Sequence, residues 1–266
     1  MDNKRAEQPD RERLLQDEAN YQDLKVEKDI RGGLDKYYMD PAWMYLQKYK
    51  NRVIGDIRGK KVLDLGCGKG GATLDALRRG AYVTAVDISP KSIEVVKEEA
   101  RKAGTDGALS AYVMDAQSLD LEDHAFDVVI GNGILHHLPF LEESLREIQR
   151  VLKEDGHAVF VEPLGINPLL NLYRLLTPSM RTKDEQPFRM KEIRLIKNVF
   201  PKAEFVFFDF TTLFSKFLMM IRLPNLAMRL QNKLIKTDTL LIRKKKRTRI
   251  SLLQKMSWNV VIKLKS

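Results

Sequence analysis

The densest group of chemically capable residues lies between Lys61 and Asp115. An apolar run, KVLDLG (61–66), opens onto three glycines spaced G-x-G-x-G: Gly66, Gly68 and Gly70. Glycines so placed let the backbone turn tightly and approach a ligand, and a helix starting just after them offers free N–H groups. Gly66, Gly68 and Gly71 also fit the G-x-G-x-x-G fingerprint of dinucleotide binding, so the glycines alone leave the ligand open. Three carboxylates narrow it. Asp64, just before the glycines, would attract the ammonium of an amino acid and repel a pyrophosphate. Asp87 closes YVTAVDI (82–88) beside Ile88, where it can accept both hydroxyls of a ribose, although a nicotinamide dinucleotide would need the same residue. Asp115 closes SAYVMDA (110–116), where a carboxylate next to the small Ala116 can accept an adenine amino group while the base packs on the chain.

A fourth apolar run, FDVVIGNG (126–133), ends at Asn132 and Gly133, and His136 and His137 follow. A neutral imidazole titrates near pH 7 and can take a proton from an attacking hydroxyl, so these two are candidate catalytic bases. The competing reading is that one builds the cofactor pocket and the other only packs. Cys67, the single cysteine, excludes an internal disulfide; with no paired base in sight it reads as a small packing residue of the loop. No metal is expected, because His124 and His157 sit in separate units and no cluster of carboxylates accompanies the adjacent pair.

These residues need rigid elements to hold them. Short β-like runs alternate with helical patterns such as GATLDALRRG and SPKSIEVVKEEARKAG, the second with Ser89 as N-cap, Pro90 at the first helical position and Gly104 at its end. The fifth run is HAVFVEP (157–163). Such alternation predicts an α/β fold with a parallel sheet covered on both faces by helices. Further on, a helix is expected in LGINPLLNLYRLLTPSM and another in MKEIRLIKNVF, with strands at AEFVFFDFTTL (203–213) and SWNVVIKLK (257–265). The predicted organisation is a charged N-terminal extension (1–34) holding little chemistry, a core (35–213), a helical and basic insert (214–256), and the last core strand (257–266).

The segments VLDLGCGKG, AVDIS, VMDAQSLDLEDHAFDVVIGNGILHHL and LKEDGHAVFVEP resemble the class I S-adenosylmethionine-dependent methyltransferases, in particular bacterial enzymes acting on small molecules and on quinone-like or lipid-like acceptors. The resemblance spans about Lys61 to Pro163. It implies a Rossmann-like, mostly parallel seven-stranded sheet with an antiparallel last strand, and S-adenosylmethionine as cofactor. Carried over, the loop Gly66 to Gly70 with Cys67 and Asp64 would hold the methionine part, Asp87 with Ile88 the ribose, and Asp115 with Ala116 the adenine. Asn132 joins this cofactor set. Nucleic-acid amino methyltransferases often carry a proline-rich N-P-P-Y tetrad after the fourth strand; here stand Gly131, Asn132, Gly133 and Ile134, which weighs against base methylation.

Of a net charge of +10, the segment from Arg189 onward, with 19 Lys+Arg against 4 Asp+Glu, carries +15, so the rest is net acidic. That asymmetry suits an anionic partner, a membrane surface or a nucleic acid, or simply a solvated face. In the insert, Phe214, Phe217, Leu218, Met219, Met220, Ile221 and Leu223 precede the basic run 243–249. Apolar and cationic stretches in succession favour a membrane surface over phosphate tracking. The densely charged N-terminus lacks the apolar stretch of a secretory signal, and no run of ~18 or more apolar residues spans a bilayer. The expectation is a cytoplasmic protein, peripheral to the inner face of the membrane, that methylates a small apolar or amphipathic acceptor. An RNA methyltransferase using the basic region and a non-catalytic cofactor-binding partner subunit are the alternatives.

Overall fold

A computed structural model describes residues 11–28, 41–167, 171, 188–212, 214, 215, 218, 223–243, 254, 257 and 259–265. Seven strands form one sheet: β1 (Lys61–Leu65), β2 (Tyr82–Asp87), β3 (Leu109–Val113), β4 (Phe126–Asn132), β5 (Leu152–Pro163), β6 (Glu204–Phe208) and β7 (Asn259–Lys265). Their order is β3-β2-β1-β4-β5-β7-β6, with β1 to β5 parallel and β7 antiparallel to both neighbours. The order reverses between β1 and β4, so the crevice at the carboxyl ends of these strands is where this architecture receives ligands.

Among the described residues, seven α-helices accompany the sheet: α1 (Arg11–Lys28), α2 (Pro41–Ile54), α3 (Gly71–Arg78), α4 (Pro90–Lys102), α5 (Leu141–Val151), α6 (Met190–Val199) and α7 (Pro224–Asp238). Alternation along the strands splits the core in two. Leu63 and Leu65 of β1 join Leu145 and Ile148 of α5 and Ile193 and Ile196 of α6 on one face. Val62 faces the other way, with Leu46 and Ile54 of α2 and Ala76 and Leu77 of α3. Ile93 and Val96 of α4 pack on Ala85 and Ala111 in a smaller cluster. As its sequence predicts, α4 opens on Pro90 with the Ser89 side chain accepting from the Ser92 N–H.

Three sequence expectations change. The third strand ends at Val113, not at Ala116, so Asp115 stands two residues beyond it in a turn. The sixth ends at Phe208, because Asp209 takes a positive φ of 63° and leaves the ladder. α2, unread in the sequence, covers the sheet just before β1. The helix expected from 164 to 180, the apolar residues Phe217, Met219, Met220 and Ile221, and the basic run beyond Arg243 lie outside the described residues.

Candidate active site

The turn after β1 is built on left-handed backbone: φ is 67° at Gly66, 51° at Gly68 and 82° at Gly70. Each conformation is costly for a residue with a Cβ. At Gly66 a Cβ would lie 2.5 Å from the Ile134 side chain, and at Gly70 2.9 Å from that of Val96, so both glycines are also needed for close packing. Gly68 differs, since no protein atom lies within 4 Å of where its Cβ would stand. What the missing side chain leaves there is open space at the wall of the crevice.

Two adjoining cavities occupy the crevice, and both are lined by Gln22, Gly66, Gly68 and Asn132. Asp87, Ile88, Met114, Asp115, Ala116 and Gln117 wall the first. The second is walled by Lys50, Asp64 and Cys67 among others. The glycine turn and Asn132 form a wall common to the two, which together make up the groove.

Asp87 is buried, with Oδ2 accepting from the Gly68 N–H at 2.8 Å and Oδ1 from the Ser89 N–H at 2.9 Å. It therefore shapes the glycine turn as well as facing the cavity. Asp115 Oδ1 accepts from the backbone and side-chain nitrogens of Gln117, at 2.9 and 3.0 Å, while Oδ2 lies 3.6 Å from the Arg11 guanidinium of α1. Asp64 is 1% exposed and takes the Thr73 hydroxyl at 2.6 Å. Burial pushes its carboxyl up to about 6, against the Thr73 bond and the Lys50 charge. Burial likewise raises the Cys67 thiol well above the ordinary range, which leaves it a wall of the groove and no nucleophile.

The two histidines sit on a short 3-10 turn, Leu135–His137, with ring centroids 4.2 Å apart. His136 Nδ1 lies 2.7 Å from Glu162 Oε2, and the same carboxylate accepts the N–H groups of Ile134, Leu135 and His136. Glu162 is fully buried, which pushes its carboxyl up to about 7 against those donors. With its Nδ1 proton donated to the carboxylate, the imidazole has Nε2 as its basic nitrogen. His137 lines the first cavity, and its Nδ1 lies 3.2 Å from Glu18 of α1 without hydrogen-bond geometry. Both histidines border a second groove, between this turn and the start of α6, with Leu138, Phe140, Lys191 and Leu195.

All ten cofactor candidates from the sequence therefore meet at the crevice or in the turn that forms it, whereas His136 faces only the neighbouring groove. Three participants were missed. Glu162 was visible as a carboxylate inside the apolar run HAVFVEP. Lys50 stands where the i, i+4 stripe Leu46, Lys50, Ile54 calls for an apolar residue. α1 gave no such signal, yet Leu14, Leu15, Glu18 and Gln22 wall the groove.

The model of the family described as methyltransferase domain matches residues 63–160. The sterol 4-C-methyltransferase strm-1 of Caenorhabditis elegans is 35% identical over 105 residues, 40% of this chain and 31% of that protein. The ubiquinone biosynthesis O-methyltransferase of Alkalilimnicola ehrlichii is 29% identical over 128 residues, 48% of this chain and 51% of that protein. The chain thus spans about a third to a half of the length of these relatives. Among solved structures, the cyclase SpnF superposes with a TM-score of 0.54 at 18% identity, over 83% of this chain and 80% of its own, a likeness of fold alone. Residues 63–160 match the methyltransferase-domain model, and over that stretch the chain resembles the class I S-adenosylmethionine-dependent methyltransferases.

Proposed function

We propose that the groove binds S-adenosylmethionine and that the protein transfers its methyl group to a small apolar or amphipathic acceptor. The observation that carries this reading is the pair of adjoining cavities that share Gly66, Gly68 and Asn132, with acceptors suited to an adenosine in one and a buried carboxylate in the other. A dinucleotide would bring a pyrophosphate towards Asp64, which repels it. Asp87 accepts from the ribose hydroxyls and Asp115 from the adenine amino group, while Ile88, Met114, Ala116 and Leu138 pack on the base. The glycine turn and Asn132 hold the middle, and Asp64 meets the ammonium of the amino-acid end.

The cofactor supplies a methyl group made electrophilic by the adjacent sulfonium, so the protein's task is position, exclusion of water and, for a hydroxyl acceptor, a base. His137 borders both the cofactor groove and the neighbouring one, so an acceptor entering beside Leu138, Phe140 and Leu195 comes within its reach. His136, oriented by Glu162, is the second base candidate and supports the turn that carries His137. The two relatives whose names specify a sterol and ubiquinone biosynthesis favour an apolar acceptor. A membrane surface is the natural source of such an acceptor. The exposed Leu226, Met228, Leu240 and Leu241, interleaved with Arg229, Lys233 and Lys236, favour that reading.

Calorimetry with S-adenosylhomocysteine and NAD, followed by tritiated methyl transfer into lipid extract, small-metabolite extract and total RNA, tests the assignment. The expected result is micromolar S-adenosylhomocysteine binding and label in lipid or small molecules, with turnover falling far more than cofactor affinity in His137→Ala. Binding of NAD alone, or label confined to RNA, refutes it.

A further inference from the structure

Lys50 is a cation buried without an anion bonded to it. It lies on the inward stripe of α2, 3% exposed, and its Nζ donates to Asn132 Oδ1 at 3.3 Å. Burial drives its pKa down, opposed only in part by the charges of Asp64 and Asp75. Asp64 opens on the same cavity, yet the two are not bonded to each other: Asp64 takes the Thr73 hydroxyl and Lys50 the Asn132 amide oxygen. A buried ion is normally retained only where a partner compensates its lost hydration. A polar amide at 3.3 Å is modest compensation.

Two separated groups of opposite sign at one end of a groove are the complement of an α-amino acid, which carries an ammonium and a carboxylate on adjacent carbons. We infer that Lys50 receives the carboxylate of the cofactor's amino-acid end, opposite the ammonium held by Asp64. This rests on the S-adenosylmethionine reading and assigns Lys50, outside the matched domain and in a helix with no sequence motif, to the site. Asn132 then has two functions: it lines both cavities and holds the Lys50 ammonium at their junction.

The test compares three probes on the full chain: S-adenosylhomocysteine, decarboxylated S-adenosylmethionine, which keeps the ammonium but has no carboxylate, and methylthioadenosine, which has neither. Lys50→Met retains the bulk and removes the charge. The variant is expected to lose about 10- to 100-fold in affinity for S-adenosylhomocysteine, the range for a hydrogen bond to a charged group. Affinity for the other two should stay within about twofold of the unsubstituted protein, which also reports that the variant is folded. Equal losses for all three probes would make Lys50 a purely structural residue, and no loss for any would remove it from the site; either overturns the inference. If the unsubstituted protein binds none of the three, the cofactor reading itself fails and takes this inference with it.

Discussion

At the scale of single residues, burial decides what each carboxylate can do. Asp64 and Glu162 are both sealed from water, and burial raises both, to about 6 and about 7. For Asp64 the sign of the pH effect follows directly. Because the folded value lies above the usual one, the stability tied to the protonated form is fully present at low pH and is lost as pH rises through about 6. An ammonium at the amino-acid end demands the ionised form, so cofactor affinity runs the opposite way. S-Adenosylhomocysteine binding should strengthen with pH up to about 6 and then level, by as much as ~tenfold per unit on the rising limb. Asp64→Asn should bind more weakly and flatten that limb. Titrations in which the unsubstituted protein shows a flat profile from pH ~5 to ~8 would show that Asp64 does not titrate with the ligand. Residues of this kind were readable in sequence where type and spacing coincide, as at Gly66, Gly68 and Asp87. The ion pair that Arg11 makes with Asp115 was not, because it joins residues 104 positions apart through packing alone.

At the scale of elements, the sheet was legible and its cover was not. Short apolar runs and the Ser89-Pro90 cap mark the strands and α4, since buried strands and capped helices constrain residue type strongly. α1 has almost no apolar face, so nothing in RERLLQDEANYQDLKVEK predicts where it docks. It is fastened by charge instead. Arg11 pairs with Asp115 and Glu143 and lies over the Phe140 ring, Asp23 meets Ser89, and Glu27 meets Lys91. The last two contacts set carboxylates beside the N-terminal end of α4, where its dipole favours them. Pairs as exposed as these contribute ~0–1 kcal/mol each and weaken with salt. α1 is therefore expected to behave as a loosely held lid. Deleting residues 1–28 should leave most of the melting temperature intact and speed S-adenosylhomocysteine release by roughly tenfold, or ~1.4 kcal/mol, with raised salt producing part of the same effect in the full chain. Stopped-flow displacement measures it. A release rate indifferent to both the deletion and salt would leave α1 without a role in holding the cofactor.

At the scale of the whole molecule, the matched methyltransferase domain covers residues 63–160, and α7 lies outside it. The likeness to SpnF, a cyclase, shows that this architecture serves reactions other than methyl transfer, so substrate choice has to be argued from surfaces. α7 packs against α2, the helix that carries Lys50, and is anchored by Asp238, which accepts from the backbone of Phe210 and Thr211. Its remaining surface turns outward. There Leu226 and Met228 are exposed, Leu240 and Leu241 follow on the succeeding turn, and the cations Arg229, Lys233 and Lys236 lie between them, while the one carboxylate, Asp238, is buried. No helix among the described residues is long and apolar enough to cross a bilayer. A helix with this surface can lie on one, with side chains in the headgroup boundary and each cation contributing ~1 kcal/mol against anionic lipid. Three such cations amount to roughly a hundredfold in affinity before ordering costs. The protein should therefore co-sediment with vesicles containing phosphatidylglycerol at low salt. That binding should fall as salt is raised, and it should fall separately when Leu226, Met228 and Leu240 are replaced together by Ser. Charge alone attracts RNA as well, which is why the apolar substitutions decide the matter. Vesicle binding that is absent at low salt, or that survives those substitutions and is competed fully by RNA, would mean that the basic region serves a nucleic acid or only solvates the surface.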